Sequence, residues 1–533
     1  MEIHGGTCGN KGNYLCDNYG ELTVAYEGNS EEGYIECYGA KRSAFLSRKG
    51  STTNISDVYI HDTKRQAISS LGGDTTVTNC KIENTGSHSI DIQNGKAVIE
   101  DVTVLNSQGS GLETRAGAKL TVKNFTVDGC KKIGIACRGA NITATKINVY
   151  NTEKYGLSCG DSNNKDGVFK VENAEIKGTT KQSIYLYESG KGDFKNIQIS
   201  DGDSRGVFVK GNATAKIYGE STIKNMALGG VEVRSTLEMD SVVICDNNVK
   251  DRCSGAGVYV AKDGKLTMKN GAVYNNTTEV RGGGLCVTDG TITINGTKIH
   301  DNSAKKHGGG LYVQKTSVVN LKNGEITDNK SEGYGDGIYI HTSESKVTMG
   351  ENFYLGRNDV KLDDVKAVLN ITGNNLKKHS ASDPLLLTPN YDAKLGVQVA
   401  VCKNESVAKS LASKVKSGDG SYNIVRDKKY FAIEYAKADM DMTGADTVYV
   451  SNFAELKDAV LSTTSKRYIV LKADIQMETR IRVPGGVTIC IKDDGIKRTL
   501  SRAEGFTNSF FLLITQWLSG TARWQGAGSP ASS

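Results

Sequence analysis

One short phrase returns thirteen times along the first two thirds of the chain: a small residue, an apolar residue, any residue, and a second apolar residue. It reads "SIDIQ" at 89, "GLETR" at 111, "GIACR" at 134, "GVFVK" at 206, "GLYVQ" at 310 and "GIYIH" at 337. The residue between the two apolar positions marks each copy: Phe45, Ser69, Asp91, Glu113, Ala136, Ser158, Tyr185, Phe208, Glu232, Tyr259, Cys286, Tyr312 and Tyr339. Successive markers lie 22 to 27 residues apart. A period of that length is one supersecondary unit, too small to bury its own apolar face, so neighbouring copies must stack.

Each period also holds two more short apolar segments, as in "KLTMKN-GAVYNN-TTEVRGG-GLCVT", and no stretch of helix length. Three short strands per period predict an all-β fold, a right-handed parallel β-helix of about thirteen coils. A leucine-rich repeat is excluded because its leucine framework and helical segment are missing. The chain has 61 glycines but four prolines, the first of them Pro384. Proline donates no backbone N–H, so avoiding it keeps every rung able to pair. The glycine triplets at 282–284 and 308–310 turn the chain into the third strand; no helix follows them, so they are not a phosphate loop. The middle strand tends to end in Asn or Asp: Asp62, Asn84, Asn106, Asn151, Asp201 and Asn225, then Asp246–Asn247, Asn275–Asn276, Asp301–Asn302 and Asp328–Asn329. These residues tolerate left-handed backbone, and stacked amides bond from coil to coil, so the ladder is expected to be structural.

The repeat resembles the pectin-lyase-like right-handed β-helix superfamily over about residues 20–363. Its strings "IHDN" (299–302), "ITDN" (326–329) and "GGGL" (308–311) resemble the FxxN and GGA(I/L/V) repeats of polymorphic outer-membrane proteins and related adhesin-like bacterial surface proteins. That resemblance implies a non-catalytic, cell-surface or secreted protein that binds glycan or a host or matrix partner. The wider superfamily also implies an alternative, a lyase or glycoside hydrolase acting on an acidic polysaccharide. The polygalacturonase motifs of this fold are matched only by fragments such as Asn84-Thr85-Gly86 and Ser87-His88-Ser89, and the one Arg-Ile-Arg lies far away at 480–482.

The pattern stops past 363. Residues 364–445 read as a small cap or linker module with one candidate helix. Residues 446–533 read as a capping helix and the first coils of a second β-helix, broken off by a tail of different composition. Asn452 and Glu455 have capping-box spacing, and Phe453, Leu456, Val460 and Leu461 fall on one helical face. The chain is expected to be a fragment, located at the cell surface or outside the cell although no signal peptide is visible. The apolar run "FFLLITQWL" (510–518) is too short to span a bilayer. Net charge of +6 over 533 residues is too diffuse for nucleic acid. The twelve cysteines include no CxxC pair, which disfavours zinc; buried thiols, or disulfides such as Cys8–Cys16 and Cys130–Cys137, remain open. No histidine pair has metal spacing, and no cofactor is expected.

Two groups of side chains on the outer face of the third strand are candidates for function. Asp91 and Glu113 stand one coil apart, with Arg115, Arg138, Gln93 and His88 nearby. Two carboxylates ~5 Å apart on a sheet suit glycoside hydrolysis, with an arginine to hold a uronate; equally, acid beside arginine on adjacent rungs makes ordinary cross-strand pairs. Further along, Tyr185, Phe208, Tyr259, Tyr312 and Tyr339 offer rings for a sugar or protein ligand, or stack on one another. Tyr259 and Tyr312, two coils apart, are the expected useful pair, with the loops before these strands walling a shallow groove.

Overall fold

The computed structural model describes residues 2–4, 7–9, 13–26, 33–115, 117–160, 162, 166–250, 254–390, 396–418, 422–435, 444–478, 481, 488–493, 498 and 500–502. Alternation of apolar and polar residues gives each coil two strand directions, and every coil lays them on the coil before. The third-strand segments pair in parallel from Cys16–Asn18 to Val415–Ser417. Their apolar positions point inward and close-pack: Ile90, Leu112, Ile135, Leu157, Ile184, Val207 and Val231 are all fully buried.

The thirteen expected copies all lie in this ladder, but the solenoid has about 18 turns. Cys16–Asn18 precedes them, and Asp359–Leu362, Leu385–Thr388 and Val415–Ser417 follow. These added rungs lack the glycine-led phrase, which is why the repeat count fell short. The ladder therefore runs on past 363, and Leu369–Ile371 and Gln398–Cys402 extend the neighbouring sheet in step. One marker is also out of phase. In "SAFLS", Phe45 pairs with the inward Ile68, and it is Leu46 that pairs with Ser69. Three apolar residues in a row can be read in either phase, and a one-residue slip exchanges the faces.

The first two segments of a typical coil are halves of one bent strand, as in Asp74–Glu83, Lys96–Leu105 and Lys119–Asp128. The bend is a left-handed residue at mid-strand: Asn79 (φ 48°), Asp101 (54°), Asn124 (49°) and Asn173 (60°). A second left-handed column ends the strand at the positions expected from sequence, Asp62 (51°), Asn84 (53°), Asn106 (54°), Asn151 (50°), Asp201 (56°) and Asn225 (54°). In the later coils the next residue forms a buried amide ladder. Asn247 Nδ2 donates to Asn276 Oδ1 (2.8 Å), Asn276 to Asn302 (2.9 Å), Asn302 to Asn329 (2.9 Å) and Asn329 to Asn358 (3.3 Å). In the earlier coils Thr63, Thr85, Ser107, Thr152 and Thr179 occupy the same place, all buried.

The chain divides into two compact units, 1–418 with 426–432, and 419–425 with 433–533. The first includes a short helix, Glu405–Leu411, whose N-cap Asn404 accepts from the Val407 N–H at 2.9 Å. In the second, Asp446–Val450, Lys466–Leu471 and Thr488–Asp493 pair in parallel. Its helix Phe453–Leu461 has a reciprocal cap: Asn452 Oδ1 accepts from Glu455 N (2.9 Å) and Glu455 Oε2 accepts from Ser451 N (2.6 Å). Phe453, Leu456 and Val460 are buried with Ala459, whereas Leu461 is exposed, one position past the packed stripe. Pro484, Pro530, both tryptophans, the run at 510–518 and most of 480–482 lie outside the described residues. Among the described residues no helix is long and apolar enough to cross a membrane.

Candidate functional site

In-register pairing sets the marker residues in one outward column, so Asp91 faces Glu113, Glu113 faces Ala136, and Tyr185 faces Phe208. The residue two places further forms a second column, with Gln93, Arg115, Arg138, Gly160, Tyr187, Lys210 and Arg234 on successive rungs. The face was expected to be open to solvent. It is not: Asp91 is 1% and Glu113 2% exposed. Gln93 and Arg138 of the second column reach back to hydrogen-bond Asp91 and Glu113 of the first, while Tyr185, Phe208, Glu232 and Tyr259 further along are half-buried.

The covered carboxylates are held by named donors. Glu113 Oε2 accepts from Ser110 Oγ at 2.9 Å, and Oε1 accepts from Arg138 Nε. Asp91 Oδ2 accepts from Gln93 Nε2 at 3.0 Å, while Oδ1 faces Arg115 Nε at 3.8 Å and has no hydrogen bond among the described residues. Each acid thus pairs with the arginine one rung on, as ordinary cross-strand pairing requires. The arginine side chains are only partly covered, Arg115 52% and Arg138 40% exposed. His88 Nδ1 accepts the Ser110 N–H at 3.0 Å, so that nitrogen carries no proton; burial lowers the ring's pKa against the pull of Glu113 and Asp91.

The aromatic column divides in two. Tyr185 and Phe208 are half-buried and lie 5.8 Å apart, with Lys210 Nζ 5.5 Å over Tyr185 and Arg234 5.6 Å over Phe208. Tyr155 and Tyr187 stack on Tyr185 at 4.4 and 5.1 Å. Tyr259 is half-buried beneath the Arg205 guanidinium at 5.8 Å. Tyr312 and Tyr339, by contrast, are 1% and 3% exposed and pack with Cys286 in one cluster. The pairing of Tyr259 with Tyr312 as an open platform is therefore not what the fold presents. The loops expected to wall a groove lie on the rings instead, with Arg281 5.3 Å over Tyr312 and His307 stacked 4.5 Å from Tyr339. Sequence phase located the column; it carried no signal for the loops that close over it.

Cys130 and Cys137 are buried thiols and not a disulfide, and Cys8 lies among residues whose side chains are outside the description. Among the described residues no group of His, Cys, Asp and Glu is arranged to hold a metal ion.

Segments 43–192, 133–277 and 182–354 each match the family model described as "Right handed beta helix region". No curated protein matches the chain. A solved structure, the periplasmic alginate epimerase AlgG, aligns at 10% identity and a TM-score of 0.33, over 63% of this chain and 76% of that one. With the family matches running from 43 to 354, more than half of its length, the chain belongs to the right-handed beta helix family.

Proposed function

We propose that the protein is a non-catalytic β-helix of the adhesin-like, surface or secreted type, and that it binds an acidic glycan across the arginine-bearing face. The observation that carries this reading is that Asp91 and Glu113 are covered and already paired, while Arg115 and Arg138 face outward. A carboxylate that cleaves a glycosidic bond must touch it. What the face offers to a ligand is cations and ring edges: Arg115, Arg138, Lys210 and Arg234, the last also paired with Glu232 at 2.6 Å, beside Tyr185 and Phe208. A guanidinium takes a carboxylate in two-point fashion, and the free edges of half-buried rings pack against the C–H groups of a sugar. Exposed ion pairs contribute about 0.2–1 kcal/mol each, so affinity must come from several rungs together.

Calorimetric titration of the full chain with hexagalacturonate and with oligomannuronate tests the reading. Binding of either should weaken about tenfold in Arg115→Ala/Arg138→Ala, with no reducing ends or unsaturated products formed. Failure of both to bind ends it. One observation favours the alternative, a polysaccharide lyase or hydrolase: Asp91 Oδ1 is buried without a hydrogen bond among the described residues. Product formation that is lost in Asp91→Asn or Glu113→Gln would establish that alternative instead.

A further inference from the structure

A second face carries an exposed aromatic groove that the repeat phrase does not touch. It lies on the long-strand sheet near the N-terminal end, with a volume of about 420 Å³. Four consecutive rungs build it, contributing Tyr34, then Asp57 and Tyr59, then Lys81, then Asp101. Tyr34 is 55% exposed and stands edge-on to Tyr59, ring centres 5.6 Å apart and planes at 89°. The two rings make two walls of a right angle.

Tyr59 is fixed in that attitude. Its hydroxyl donates to Glu83 Oε2 at 2.8 Å, His61 stacks behind it at 4.6 Å, and Lys81 Nζ sits 4.7 Å over the ring. His61 is itself held between Glu36 and Asp62, at 3.1 and 2.7 Å. Asp57 and Asp101 belong to the left-handed column at mid-strand and line the groove, Asp57 half-buried and Asp101 exposed. One oxygen of each takes an amide, from Asn79 and from Asn124, both at 2.6 Å. The second oxygen of each has no hydrogen bond among the described residues.

The geometry points to a binding site for a neutral sugar chain in this groove. An exposed ring face with carboxylates spread along the groove two rungs apart is complementary to a chain of pyranoses, one of which stacks its C–H face on the ring while hydroxyls of successive sugars donate to the carboxylate oxygens. The charge decides the class of sugar. Two carboxylates against one ammonium leave the lining negative, which rejects a polyuronate and tolerates an uncharged chain. The site is therefore opposite in preference to the arginine face, and it does not rest on that reading.

The test titrates the full chain with cellohexaose, xylohexaose and mannohexaose, and with hexagalacturonate as the charged control. At least one neutral hexasaccharide should bind, weaken tenfold or more in Tyr34→Ala, and weaken several-fold in Asp101→Asn. Both positions are exposed, so circular dichroism should show both variants folded. Binding of hexagalacturonate, where present, should be unchanged by Tyr34→Ala. The proposal is overturned if none of the three neutral chains binds, if Tyr34→Ala binds them as the parent does, or if Tyr34→Ala weakens the polyuronate instead.

Discussion

Three histidines share one arrangement, and it makes them sensors of acid. His88 Nδ1 accepts from Ser110 N, His307 Nδ1 from Tyr334 N (3.2 Å), and His379 Nε2 from Leu355 N (3.4 Å). Burial is the largest effect on each and lowers all three pKa values; it outweighs Glu113 and Asp91 at His88, Asp363 at His307 and Asp383 at His379, and is aided by Lys132 and Arg115, by Arg281, His341 and Lys306, and by Lys414. The unfolded chain, with histidines near ~6.5, then takes up protons before the folded one does. Stability from these groups is complete above that value and is lost as pH falls through the lower folded values. The melting temperature should drop between pH 7.5 and 5.5, and the drop should shrink in His88→Gln/His307→Gln. Constant melting across that range would contradict the assignment. The amide ladder gives a second residue-level expectation. Asn302 Nδ2 donates to Val273 O, His300 O and Asn329 Oδ1, all at 2.9 Å, and its Oδ1 accepts from Asn276 N and Nδ2. Asn302→Ala strands several buried partners at ~1–3 kcal/mol each, so it should cost more than 3 kcal/mol in denaturant unfolding. Thr277→Ala, one rung away on a mostly exposed bond to Asn248, should cost under about 1 kcal/mol.

At the scale of one coil, the glycines of each triplet have different duties. Gly308 sits at φ 69°, where a β-carbon is strained, and turns the chain inward. Gly310 has no such angle, but a β-carbon there would lie 2.7 Å from Gly337 O and from Ile326 Cγ2. Gly308→Ala should cost about 1–2 kcal/mol through backbone strain. Gly308→Ala also brings a β-carbon to 2.8 Å from Leu311 O, so it should cost more than Gly310→Ala, whose clash with the next rung's backbone acts without backbone strain and presses on the pairing of Leu311 with Ile338. Thermal unfolding of the two variants ranks them. This same division explains what the sequence made legible. The phrase led by a small residue is forced by backbone geometry, so it survives in thirteen rungs, nine of them led by glycine, and announces the fold. The rungs at Asp359–Leu362, Leu385–Thr388 and Val415–Ser417 turn without it and are invisible to a pattern search. Phase along a strand located Asp91, Glu113 and the tyrosines correctly in one column. Their exposure was not legible, because it depends on where Arg115, Arg138, Arg281 and His307 lay their side chains, and no period governs those. The Tyr34–Tyr59 groove was missed for a related reason: its residues lie on the strand halves that the repeat phrase leaves unmarked.

Over the whole molecule, a constant coil leaves surface chemistry free to change from face to face and from rung to rung. The inward positions are fixed by packing, so variation is confined to the columns that point out. One column gathers Arg115, Arg138, Lys210 and Arg234, whereas the groove on the long-strand sheet is lined by Asp57, Asp101 and Lys81. Two ligand classes bound at these places should respond to salt in opposite ways. Charge attraction between exposed groups is screened over ~10 Å at 0.1 M and over ~3 Å at 1 M. Four surface cations at up to about 1 kcal/mol each give a polyuronate roughly 1–3 kcal/mol of screenable attraction. Raising sodium chloride from 0.05 to 0.5 M should then weaken hexagalacturonate binding about tenfold or more. A neutral hexasaccharide held by ring stacking and hydroxyl-to-carboxylate bonds should change less than twofold over the same range. Paired titrations at the two salt concentrations check this. Equal salt dependence of both ligands would mean that they share one site, and the separation of the molecule into a cationic face and a neutral-sugar groove would fall.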